Sequence, residues 1–238
     1  MPKNPSKSDH NFSVVVENYL KGIWNIGYFN NKETVKGADL ARHLGVKPPS
    51  VSNMLRKLKR LDYIESSKSP IELTKNGKSK VAKILRKHQL VEMFLEKTLK
   101  LSPLELHHDA ELLEHAVSDT LLEQINLFLN KPSQDNNGIP IPPIDQSKKG
   151  RAWEKSSLSK QSPLSDYIIT GVADFDPSSF LEVVKKGLVK GAKFRLLSTS
   201  PNIEIQLLKS KRKQELSLDQ AQLIRAQLVS TSKEKLSS

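Results

Sequence analysis

The sequence contains no cysteine. That absence removes disulfides, thiolate metal ligands and cysteine nucleophiles together, and it suits a reducing cytosol. No run of about 18 apolar residues occurs, so no segment reads as membrane-spanning. The opening MPKNPSKSDHNFSVVVENYL lacks the apolar stretch and small-residue cleavage site of a secretory signal. Up to about Asn11 it reads as a frayed, solvated tail. The chain is therefore expected to work in the cytoplasm, without a membrane partner. There is no Ser-His-Asp grouping, no phosphate-binding loop and no glycine-rich dinucleotide fingerprint, and no repeat is evident. Enzymatic activity is not expected. Hydrophobic residues make up 37% of the 238, which is enough for two or three small cores.

What the chain does have is charge, unevenly placed. The formal net charge is +12. Residues 1–75 hold 13 Lys and Arg against 7 Asp and Glu, and residues 146–238 hold 17 against 9. Between them, residues 76–145 are acidic, 8 against 10, and contain His88, His107, His108 and His115. A basic front end fits a polyanionic partner. An acidic, imidazole-rich middle fits a divalent cation.

The expected architecture is mainly α with small β parts. Val15, Tyr19, Ile23 and Ile26 predict a helix over 12–29. A second helix is predicted over 36–44, with Ala38, Leu40, Ala41 and Leu44 inward and Gly45 as its positive-φ stop. Pro48 and Pro49 suit the first turn of a third helix, about 48–61, whose stripe is Val51, Met54, Leu55 and Leu58. Residues 63–65 and 71–73 read as the arms of a hairpin around a polar tip. Thr74 is the expected cap of a helix over 75–98, and another helix is expected over about 109–123, with a shorter one to 129. Domain boundaries follow: a basic unit over 1–74, an acidic helical unit over 75–145, a linker over 146–163, a small β module over 164–230, and a disordered tail over 231–238. In the β module, strands are expected around Ile168-Ile169, Val172, 194–197 and 203–207, with a short helix over about 178–186.

Two short helices joined by a tight turn and followed by a hairpin are the parts of a winged helix-turn-helix. Ser50, Ser52 and Asn53 lie where a recognition helix approaches base edges, and Lys47 and Pro49 beside them are also expected at the DNA. Arg56, Lys57 and Lys59 would meet phosphates, and Lys68 at the hairpin tip would reach the neighbouring backbone. Downstream, His88 and Glu92 are spaced i,i+4, as are Glu111 and His115, with Glu114 adjacent and His107 one turn before Glu111. Such pairs share a helix face. Two crossing helices would gather three carboxylates and three imidazoles, a donor set suited to first-row divalent metals.

The ordered segments ENYLKGI (17–23), DLARHLGVKPPSVSNMLRKL (39–58), LTKNGKSKVAKILRKHQLVEMFL (73–95), HHDAELLEHAVSD (107–119) and GIPIP (138–142) resemble the diphtheria-toxin-repressor family of metal-dependent regulators, including its manganese-responsive MntR type. The 164–229 region, with its GLVKGAKF stretch, resembles the small FeoA-type β-barrel, an SH3-like fold. The resemblance implies a homodimer that binds an operator in double-stranded DNA through residues 1–74, binds metal and dimerises through residues 75–145, and represses metal-uptake genes when metal is bound. It implies one metal site from His88, Glu92 and His107, and another from Glu111, Glu114 and His115. The second is completed by a first-helix residue that aligns with Asn18, where the family usually has Met or Asp; Glu17 next door faces elsewhere on the helix. Glutamate at position 111, where iron-responsive members have cysteine, points to Mn²⁺, with Fe²⁺ as the alternative. Two other readings stay open: a winged-helix regulator without metal response, and a hydrolytic metal centre.

Overall fold

Apolar side chains at positions 16, 19, 20, 23 and 26 repeat with the helical period, and they are what buries the first helix. A computed structural model of the protein describes residues 7–29, 35–99, 101, 103–143, 158, 161–174 and 176–229. Helix α1 (Lys7–Phe29) starts inside the stretch expected to be a solvated tail. Its buried stripe runs Val16, Tyr19, Leu20, Ile23 and Ile26, whereas Val15 is exposed. Helix α2 (Gly37–Leu44) ends at Gly45, whose φ of 64° supplies the left-handed stop. Its inward residues are Leu40 and Ala41, with Leu44 half-buried; Ala38 is exposed. Helix α3 (Pro48–Arg60) opens on two prolines and buries Val51, Met54, Leu55 and Leu58. Leu20, Leu40 and Leu58 are wholly enclosed in the core shared by these helices. Each such side chain contributes about 1.5–3 kcal/mol by leaving water.

The hairpin after α3 is minimal. Single bridges pair Ile64 with Leu73 and Val35 with Ile71, so the segment before α2 adds a third arm to the wing. Thr74 then caps α4 (Lys75–Leu99), its hydroxyl accepting from the Gly77 amide at 2.9 Å. Gly77 is required here by space: a Cβ at this position would stand 2.0 Å from the Tyr63 carbonyl oxygen. The start of α4 is thus pressed directly against the base of the wing.

Helix α5 (Pro103–Glu114) stops earlier than expected, and α6 (Asp119–Phe128) begins after a break. The reason is Ser118, whose side chain accepts from the Leu121 amide and caps α6. A second core joins α4, α5 and α6 through Leu90, Val91, Leu95, Leu106, Ala110, Val117 and Ile125. Past α6, Gln89 of α4 donates to Asp135 at 2.9 Å and Arg86 donates to the Pro142 carbonyl at 3.0 Å, fastening this return segment to α4.

Residues 1–135 with 140–152 form one unit, and 136–139 with 153–238 form a second. The second unit is a five-stranded antiparallel sheet in the order β4-β3-β2-β1-β5. Its elements are β1 (Ser165–Val172), α7 (Pro177–Lys185), β2 (Lys193–Ser198), β3 (Ile203–Leu207), β4 (Lys213–Leu216), α8 (Leu218–Leu223) and β5 (Ile224–Leu228). Alternate residues Tyr167, Ile169, Phe194, Leu196, Ile203 and Ile205 are buried on one face. Strands β4 and β5 and helix α8 were not expected from the sequence. Within the expected linker, Leu158 is fully buried, so this unit begins before residue 164. The rest of that linker up to residue 157 and the tail over 231–238 lie outside the described residues. No helix among the described residues is long and apolar enough to cross a membrane.

Candidate metal centre and nucleic-acid interface

The helical period places His88 and Glu92 on one face of α4, and His107, Glu111 and Glu114 on the facing side of α5. His88, Glu92 and His107 each bring one ligand atom within 4.8 Å of the others, and all three are buried. The His88 and His107 rings meet edge to face, with centroids 5.1 Å apart. His88 Nδ1 is 2.6 Å from Glu114 Oε2, and its Nε2 is 3.9 Å from Glu92 Oε2. A carboxylate on one nitrogen fixes the tautomer: Nδ1 carries the proton to Glu114, and Nε2 keeps its lone pair. Two imidazoles and one carboxylate in a buried pocket are a fitting donor set for a first-row divalent ion.

The second set is arranged differently. Lys21 of α1 places its Nζ 3.5 Å from Glu111, 3.3 Å from Glu114 and 3.4 Å from His88 Nδ1. Its side chain is 11% exposed and that of Glu114 only 2%. One turn earlier, Glu17 is held by Lys80 of α4 at 2.6 Å and by His115 Nδ1 at 2.7 Å. Asn18, between Glu17 and Lys21 in sequence, is exposed. The expectation that Glu17 faces elsewhere on the helix is therefore corrected: the face turned to α4 and α5 carries Glu17 and Lys21, four residues apart. Glu111 is half-exposed and lies 3.5 Å from His107 Nε2. His115 sits in the turn after α5, 3.5 Å from Glu114.

These neighbours control the carboxyls. Burial raises Glu17, but hydrogen bonds and charge from His115 and Lys80 outweigh it and hold the group at about 2. Hydrogen bonding to His107 lowers Glu111 to about 2 against the cost of burial, with Lys21 adding its charge. Glu114 is pushed up by burial, yet His88 and Lys21 bring it below the ordinary carboxylate value. Sequence reasoning passed over Lys21 because a lysine is not a metal ligand. The available signal was its spacing of four from Glu17, which puts both on one face.

On α3, Ser50, Ser52, Asn53, Arg56, Lys57 and Lys59 are all exposed, as are Lys47, Pro49 and, on the wing, Lys68. The Arg56 guanidinium donates to the Asn53 side-chain oxygen. One face of α3 thus fills the core and the other offers cations and short polar groups.

The family model for the N-terminal DNA-binding domain of iron-dependent repressors matches residues 11–69, and the model for the metal-binding and dimerisation domain of the same repressors matches 74–143. An uncharacterised HTH-type transcriptional regulator of Methanocaldococcus jannaschii is 38% identical over 120 residues, covering 50% of this chain and 95% of that protein. The MntR regulator of Listeria monocytogenes is 30% identical over 122 residues, 49% of this chain and 84% of that one. Among solved structures, a manganese-dependent transcriptional repressor in complex with manganese superposes with a TM-score of 0.78 at 26% identity, over 90% of this chain and 100% of that one. The manganese regulator SloR gives 0.77 at 26% identity, over 90% and 98%. The two curated relatives match about half of this chain and the two solved structures nine tenths of it, and the chain belongs to the iron-dependent repressor family, the diphtheria-toxin-repressor and MntR group of metal-dependent transcriptional regulators.

Proposed function

We propose that this chain is a manganese-responsive repressor that binds operator DNA as a homodimer. The observation that carries the reading is the meeting of His88, Glu92 and His107 within 4.8 Å of one another, in the same unit as an exposed basic recognition helix. Imidazole and carboxylate donors accept Mn²⁺ or Fe²⁺. Relatives named for manganese favour the first, and Fe²⁺ is the alternative. When bound, the ion would supply the charge that draws these donors together. Glu114 holds the His88 ring for that purpose, and α4 and α5 carry the donors on a packed core.

Helix α3 enters the major groove, with Ser50, Ser52 and Asn53 toward base edges and Lys47, Arg56, Lys57 and Lys59 toward phosphates. Pro49 starts the helix, and Lys68 brings the wing to the flanking backbone. Leu112, Leu113, Leu121, Leu127 and Phe128 are exposed on α5 and α6, apolar surface that a second copy of the chain covers in the dimer. Two recognition helices then face half-sites about one helical turn apart. The role is regulatory rather than enzymatic, in the cytoplasm, with metal-uptake genes as the targets. The test is selection of duplexes from a random library by the full chain with Mn²⁺, followed by anisotropy titration of the selected DNA with Mn²⁺ and with chelator. At least tenfold tighter binding with Mn²⁺ is expected; equal affinities overturn the metal response.

A further inference from the structure

The two ligand sets implied by the family are not equivalent in this chain. One is a buried group of neutral and anionic donors, His88, Glu92 and His107. The other already holds a positive charge. The Lys21 ammonium stands 3.3–3.5 Å from carboxylate oxygens of Glu111 and Glu114. It arrives from α1, while those carboxylates belong to α5. A divalent ion bound by Glu111, Glu114 and His115 would have to settle within a few ångströms of this ammonium, and two cations that close repel strongly in a poorly solvated site.

We propose that Lys21 is a resident cation that takes the place of the ion at the Glu111–Glu114–His115 set, fastening α1 to the metal-binding helices with or without metal. The proposal rests on the metal-responsive reading above and assigns the response to the His88–Glu92–His107 group alone. Its chemistry is simple. Lysine offers three N–H donors and a single charge, enough to satisfy two carboxylates that converge from one helix. The ion pair from Lys80 to Glu17 and the hydrogen bond from His115 to Glu17 reinforce the same junction one turn away, without metal. Both α1 side chains that face α4 and α5 here are committed to fixed ionic partners.

The inference separates two events that a metal count can distinguish. Isothermal titration of the full chain with Mn²⁺ is expected to show one ion per chain in the wild type. His107→Ala removes that event, and His115→Ala leaves its stoichiometry intact. Lys21→Gln, which keeps hydrogen-bonding capacity and removes the charge, is expected to take up two ions per chain. The second of these is lost on adding His115→Ala. Lys21→Arg, which restores the charge, returns the count to one. Metal-free Lys21→Gln is also expected to bind the selected DNA at least tenfold more weakly than metal-free wild type, since α1 loses its clasp. A wild-type Mn²⁺ event abolished by His115→Ala overturns the proposal, and it does so even where Lys21→Gln does not fold. Identical stoichiometry in Lys21→Gln and wild type also overturns it, while leaving the metal-responsive reading in place. Absence of Mn²⁺ uptake in both proteins overturns both.

Discussion

His88 Nδ1 lies 2.6 Å from Glu114 Oε2, and this pairing turns the opposite ring nitrogen toward Glu92 and His107. The ring is thereby a wall common to two neighbourhoods. Its Nδ1 edge faces Glu114 and Lys21, and its Nε2 edge faces the metal donors.

Glu114→Gln is therefore expected to weaken Mn²⁺ binding without abolishing it. Carboxylates that orient a ligating imidazole are typically worth about 10–100-fold in metal affinity. Glu92→Gln, which alters a donor itself, is expected to cost more. Calorimetric titration of the two variants gives the ranking, and a larger loss in Glu114→Gln would contradict the assigned roles.

Acid is expected to loosen the junction between α1 and the metal-binding helices through Glu17. Its folded value of about 2 lies below the ordinary 4.5, so the carboxylate stabilises the fold. That contribution is whole above about 4.5 and drains away as the pH falls toward about 2. It is on the order of 1–3 kcal/mol. Urea midpoints measured from pH 6 to pH 3 should fall more steeply in wild type than in Glu17→Gln.

Substitutions on α3 should divide into two kinds. Lys57→Ala or Lys59→Ala is expected to weaken binding to all duplexes alike and to reduce the slope of log K against log salt by about 1 each. Asn53→Ala is expected to relax the preference for one base pair, and it also frees Arg56 from its present partner. Anisotropy at several salt concentrations, on selected and scrambled duplexes, separates the two.

Gly77→Ala should destabilise the protein although it adds a single methyl group in a helix. That methyl would meet the Tyr63 carbonyl oxygen at 2.0 Å, and backbone cannot swing aside as a side chain can. A loss of about 3 kcal/mol is expected from such overpacking, against the usual gain when alanine replaces a helical glycine. Chemical denaturation decides the sign.

The winged helix was legible because its signals are local. Gly45 stops α2, Pro48 and Pro49 start α3, and Val51, Met54, Leu55 and Leu58 repeat at the helical period. The break between α5 and α6 was missed although Ser118-Asp119 announces it, because Val117 and Leu121 continue an apolar pattern across the gap. Helix α8 carried a readable sign in Ser217 and Gln220, a capping box. Strand β4 carried none, since Lys213-Gln214-Glu215 is polar and is held by pairing with β3. At the metal centre, the residue types and spacings on α4 and α5 were visible. The facing side of α1 was not, since its rotation is set by Val16, Tyr19, Leu20 and Ile23 seeking the core. That rotation brings Glu17 and Lys21 to the junction, with Asn18 exposed.

The contact between Gly77 and Tyr63 gives α4 the character of a lever. Its first turn is seated against the wing, and His88 lies eleven residues further along the same unbroken helix, about 16 Å away. A tilt of about 5° at the donor end shifts the seated end by about 1.5 Å, with no intervening loop to absorb it. A displacement of that size exceeds the window of about 0.5 Å within which a hydrogen bond at a base edge keeps its length, so small rearrangements around His88 are felt where the protein reads DNA.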